Sequence, residues 1–218
     1  MHNFPIVYAW REDEISAIQH RADWSIQIDC DSINNVIEWA EKFSGNHRLA
    51  NDVSLPLERC VIAAYQIGYL FDYVEAIENN ADKFFTGEGL ARFMSEGLAS
   101  VLLHTIASYE MTGRWSQKLQ ILFNGKPTWS KLCDNIKHMT GSPKNNLLEL
   151  SESMFKYQRW LLYNHMGRTK RWDEAEFNRQ YIRIIMSCCR LANNFQVSLE
   201  KGFALTMSKI QDGEIKRH

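Results

Sequence analysis

Proline is scarce in this 218-residue chain, with four residues at positions 5, 56, 127 and 143, each where a helix could begin or a connection could run. Long stretches are therefore free of helix breakers. The five cysteines, Cys30, Cys60, Cys133, Cys188 and Cys189, form no CxxC pair or other zinc spacing, which points to reduced and mostly buried thiols. Cys188 and Cys189 are adjacent, and adjacent residues on a helix point roughly 100° apart, so they bridge poorly. An excess of either charge is also missing. Lys and Arg number 25 against 26 Asp and Glu, a formal charge of −1, which argues against nucleic acid or an anionic membrane as the partner. The opening residues Met1 to Pro5 lack the basic and apolar regions of a signal peptide. No apolar run is read as long enough to cross a bilayer, so the expectation is a cytoplasmic protein with no membrane partner. A glycine-rich phosphate loop after a strand, a GxSxG elbow and a His/Cys metal spacing are all absent, which removes the common enzyme fingerprints.

What the chain has is apolar content, 45%, set at helical spacing. Asp31-Ser32 precedes Ile33, Val36, Ile37 and Ala40, which predicts a capped helix over 32–44. Ile67, Leu70, Phe71, Val74 and Ile77 predict a long helix over 55–79. After the interruption Asn79 to Gly89, the stripe from Leu90 to Tyr109 predicts another, ending at Gly113. Shorter helices are expected over 115–123 and 130–139. Ser142-Pro143 then opens a helix carrying Leu147, Leu150, Met154, Tyr157 and Leu161, closed by Gly167. Asp173-Glu174 suits the start of a helix running to about Asn194, and Ser198 caps a last one carrying Leu199, Phe203, Met207 and Ile210. The reading is an all-α bundle of about seven or eight helices in a single domain over 1–218, built from two antiparallel helical hairpins. The order long helix, turn, long helix, shorter helix occurs over about 54–124 and again over 142–211, after an N-terminal helical segment, which suggests a tandem pseudo-repeat.

Two passages carry a resemblance. Ile182 to Met186 followed by Leu191-Ala192-Asn193-Asn194-Phe195-Gln196-Val197-Ser198-Leu199-Glu200-Lys201, and in the first half Asp72-Tyr73-Val74-Glu75-Ala76-Ile77 followed by Ser95-Glu96-Gly97-Leu98-Ala99-Ser100-Val101, resemble the helical passages of the all-α nucleotide pyrophosphohydrolases, the MazG-like family. That resemblance implies Mg²⁺ held by an ExxE pair on one helix and an ExxD pair on the next, because a hard cation on a triphosphate needs several converging carboxylates. Asp72, Glu75 and Glu96 fall near such positions as metal ligands, but Gly97 and Ser100 stand where the second acidic pair belongs. His104, one turn beyond Ser100, extends the same helix face and joins the candidate ligand-binding residues. In the second half Glu149 and Glu152 satisfy ExxE, whereas the facing helix offers Arg179, Gln180 and Arg183, a set suited to an ion-pair network or to direct contact with an anion. Arg183 interrupts the apolar run Ile182 to Met186 and is expected to pair with Glu149 or Glu152, or else to enter a phosphate-accepting cleft.

The resulting expectation is a MazG-like scaffold with an eroded metal site, binding a nucleotide or another phosphorylated small molecule without efficient hydrolysis. Any surviving activity would be that of a metal-dependent nucleotide pyrophosphohydrolase. The alternative is a non-enzymatic helical protein that binds another macromolecule, with self-association into a homo-oligomer as a further possibility. A third reading rests on Arg159 and His165, whose spacing fits the Arg-x(4–6)-His motif of the helical HEPN ribonucleases.

Overall fold

The computed structural model describes residues 28–45, 55–78, 87–111, 127–139, 141–168 and 173–211. The described residues form seven α-helices and no strand: α1 (Ile33–Gly45), α2 (Leu55–Glu78), α3 (Gly87–Met111), α4 (Trp129–Ile136), α5 (Pro143–His165), α6 (Glu174–Phe195) and α7 (Leu199–Gln211). A 3-10 turn, Lys137–Met139, continues α4, so the predicted helix over 130–139 is tightened at its end. The helix expected over 115–123 lies outside the described residues, as do residues 1–27 and the tail from 212.

Helix starts follow local chemistry. The hydroxyls of Ser32, Ser142 and Ser198 accept from the amides of Asn35, Asn145 and Lys201, and the Asp173 carboxylate accepts from the Glu176 amide, each three residues on. Asp31 is turned to a different use. Its carboxylate accepts from the Ser130 amide at 2.8 Å, and its carbonyl accepts from the Trp129 amide at 2.8 Å, which ties the start of α1 to the start of α4. Gln196, at φ 53, ends α6 in the left-handed region, and Gly167, at φ +66, ends the turn after α5.

Helix α3 is the axis of the molecule. Every residue from Leu98 to Tyr109 is buried, because α3 packs against α1, α2, α6 and α7 in turn. Around it stand two hairpins, α2 with α3 and α5 with α6, and α2 also packs on α5. The core is one continuous cluster to which every helix contributes. Tyr109 of α3 stacks on Tyr181 at 4.1 Å and on Phe177 at 5.6 Å, which joins the hairpins through aromatic faces, and Tyr157 stacks on Phe177 at 4.6 Å within the second hairpin. Where α3 crosses α7, Gly202 lies so close to Ser95 that a side chain there would meet the Ser95 carbonyl oxygen at 2.2 Å. One expectation needs correction. Pro56–Glu78 is long and apolar enough, by length and composition, to span a bilayer: 18 consecutive residues within it reach a mean hydropathy of 1.2, and 28% of those are buried. The charged residues of α2 gather near its two ends, at Glu58-Arg59 and at Asp72, Glu75 and Glu78, which leaves an apolar middle longer than spacing alone suggested.

Candidate ligand cleft between α2, α3 and α7

A cleft of about 270 Å³ opens where three helices diverge, lined by Gln66, Tyr69 and Tyr73 of α2, by Phe93, Glu96, Gly97 and Ser100 of α3, and by Thr206 and Lys209 of α7. The spacing within each helix explains the lining: Gln66, Tyr69 and Tyr73 are three and four apart, Glu96 and Gly97 lie three and four beyond Phe93 and four and three before Ser100, and Thr206 and Lys209 are three apart. Tyr73 and Phe93 stack at 5.3 Å as one aromatic wall. Burial, reinforced by the Glu96 charge, pushes the Tyr73 hydroxyl up to about 12 and keeps it neutral at ordinary pH.

Glu96 sits between two cations. Its Oε1 accepts from Arg92 Nε at 2.7 Å and its Oε2 from Lys209 Nζ at 2.5 Å, with all three side chains largely shielded from water. Two cations and one carboxylate thus meet at the cleft, with Lys209 and Glu96 in its lining. Because one end of the set, Lys209, belongs to the last helix, it closes only when α7 docks on α3.

Of the residues singled out in the first half, Glu96 and Ser100 line this cleft. Asp72 and Glu75 do not. They are exposed and rotated about 100° and about 160° around α2 from Tyr73, so the structure does not gather Asp72, Glu75 and Glu96 into a shell. Among the described residues no group of three His, Cys, Asp or Glu side chains is placed to hold a metal ion. His104 lies one turn below Ser100 inside the core, where burial, with the Arg59 charge second, lowers its pKa from 6.5 to about 3.

The second-half set is also dispersed. Helices α5 and α6 run antiparallel in a register that sets Asn146 against Asn194, at 2.7 Å, and Glu149 against Arg190, at 2.6 Å. Arg190 is two turns beyond Arg183 on the same face and takes the partner expected for Arg183. Glu152 pairs with Lys156 on its own helix, and the Lys156 hydrogen bond and charge hold its carboxyl below the usual range, with the Arg183 charge the smallest contributor. Arg183 itself is exposed and forms no ion pair among the described residues, which corrects the expected bridge: the reading of facing residues was two helical turns off. Arg179 is exposed as well and pairs with Glu176. Arg159 and His165 do not converge either. Six residues apart on α5, they lie about 120° apart around the helix, and the Arg159 guanidinium sits 5.5 Å from the Trp160 ring centroid.

The sequence reading missed Lys209, Arg92, Gln66 and the Tyr73–Phe93 wall. Arg92 and Glu96 at i and i+4 were a readable signal, whereas the contribution of Lys209 depends on tertiary packing. No family model, curated protein or solved structure matches the chain.

Proposed function

We propose that the cleft between α2, α3 and α7 binds a small planar ligand bearing an anionic group, a nucleotide or a comparable phosphorylated compound, without hydrolysing it. The observation that supports this reading is the pairing of an aromatic wall, Tyr73 and Phe93, with a carboxylate held between two cations, Arg92 and Lys209. The ring of such a ligand packs against the aromatic wall, and Gln66, Ser100 and Thr206 offer hydrogen bonds to its polar edge. Its phosphate takes a share of the Lys209 ammonium, which stands in the cleft lining beside Glu96. At about 270 Å³ the cleft is smaller than most cofactor pockets, which favours a mononucleotide over a dinucleotide. Mg²⁺ has no step in this reading, because both oxygens of Glu96 already face cations.

Calorimetry with nucleoside mono- and triphosphates, with and without Mg²⁺, tests the proposal. Binding at micromolar Kd, unchanged by chelator and weakened about tenfold or more in Lys209→Ala, is the expected outcome. Baseline heats across the panel would remove it.

A further inference from the structure

A second surface centres on α5, none of whose residues lines the cleft. Leu148, Phe155 and Leu162 are exposed on α5 at intervals of seven, and Phe155 is 64% exposed. A seven-residue interval keeps the three side chains on one stripe of the helix, the equivalent of one heptad position. Helix α2, which packs on α5, exposes Val61 and also Tyr65, whose hydroxyl shares a hydrogen bond with Tyr69 of the cleft, so the outer sides of both helices carry apolar side chains. With α5 about 34 Å long and two helices about 20 Å wide, the face covers roughly 700 Å², close to the ~800 Å² per partner of a standard interface.

We propose that this α2/α5 face is a homodimer interface whose occupant is a second copy of this chain, with its α5 antiparallel to the first. The pattern is its own complement. Under a twofold axis through Phe155, Leu148 of one copy meets Leu162 of the other, and the two Phe155 rings meet on the axis. The flanking charges agree with that arrangement. Glu152 and Arg159, both exposed on one side of the seam, lie three residues before and four residues after Phe155, so under the axis Glu152 of each copy comes within about 1.5 Å of level with Arg159 of the other, inside the reach of both side chains. A parallel pairing in register would instead set like charges level with each other. The opposed charges and the palindromic apolar spacing select a copy of the same helix over an unrelated partner, which would have no reason to match both.

Sedimentation velocity on the full chain from about 1 to 100 μM tests the proposal. The expected result is a species of twice the 25.5 kDa chain mass. Phe155→Asp should weaken the dimer about 100-fold while leaving the far-UV circular dichroism and melting cooperativity of the monomer intact, since the side chain contributes to no core. Glu152→Arg and Arg159→Glu should each weaken the dimer about tenfold, and the double exchange Glu152→Arg with Arg159→Glu should restore it to within about threefold of wild type. A chain that stays monomeric throughout, a dimer indifferent to Phe155→Asp, or a double exchange as weak as the single variants would each overturn the proposal. So would a monomer that co-sediments with phosphatidylcholine vesicles, which would assign the face to a bilayer. None of these variants touches the cleft lining, so ligand binding reads independently.

Discussion

At the level of single residues, Gly202 and His104 make quantitative demands. A methyl group at Gly202 would press into the backbone of Ser95, which cannot swing aside as a side-chain tip could, and Ser95 is itself anchored by its hydroxyl to the Ser198 carbonyl at 2.5 Å. Gly202→Ala should therefore destabilise the fold by about 1–3 kcal/mol, measured by urea unfolding, and should loosen Lys209 from Glu96 by pushing α7 off α3. His104 tests burial through pH. The unfolded chain takes up a proton near 6.5, whereas the folded chain resists until about 3, so the associated stability is full above 6.5 and is lost as pH falls through that window. The slope approaches 1.4 kcal/mol per unit, giving a loss of about 2 kcal/mol between pH 7 and pH 5. Urea unfolding at both values should show that loss in wild type and not in His104→Gln. Equal pH sensitivity in the two proteins would mean that His104 takes up its proton in the folded state too.

At the level of elements, the α5 stripe read from spacing is the stripe that is buried: Leu147, Leu150 and Tyr157 are fully covered and Met154 is 1% exposed. Leu150→Ala and Met154→Ala should each cost about 2–4 kcal/mol through the cavity left behind, and an unchanged denaturation midpoint in both would contradict this facing. Helix positions were legible because propensity, capping hydroxyls and apolar period are local and agreed with one another. Helix register was not. Nothing in the two sequences says whether Glu149 meets Arg183 or Arg190, since both arginines lie on the same face and the choice depends on how far α6 slides along α5. The settled register has consequences for mutants. Arg183→Met should change stability by no more than about 0.5 kcal/mol. Arg190→Met should cost about 1 kcal/mol, because it strands a Glu149 that is partly shielded. A double-mutant cycle should find coupling between Glu149 and Arg190 and none between Glu149 and Arg183.

At the level of the whole molecule, the cleft is a tertiary product. Residues from α2, α3 and α7 meet there although more than a hundred positions separate Glu96 from Lys209, so the sequence exposed Glu96 and Ser100 as candidates while concealing the cation that defines their environment. That environment governs chemistry. A triphosphate pyrophosphohydrolase needs carboxylates free to hold divalent cations against the phosphates. Here Gly97 and Ser100 carry no carboxylate, Asp72 and Glu75 point away from the cleft, and Arg92 and Lys209 occupy both oxygens of Glu96. Bringing Mg²⁺ to Glu96 would require displacing a guanidinium and an ammonium and would leave at least one of them next to the metal, an arrangement that like-charge repulsion opposes. Release of pyrophosphate from dNTPs and NTPs should consequently stay at background with either Mg²⁺ or Mn²⁺, and Glu96→Gln should leave that background unchanged. Glu96→Gln should at the same time remove the carboxylate that competes with an anion for Lys209, tightening nucleotide binding several-fold where wild type binds. Turnover above background that Glu96→Gln abolishes would show that one carboxylate is enough to recruit a metal, and the cation-neutralised role given to Glu96 would then fall.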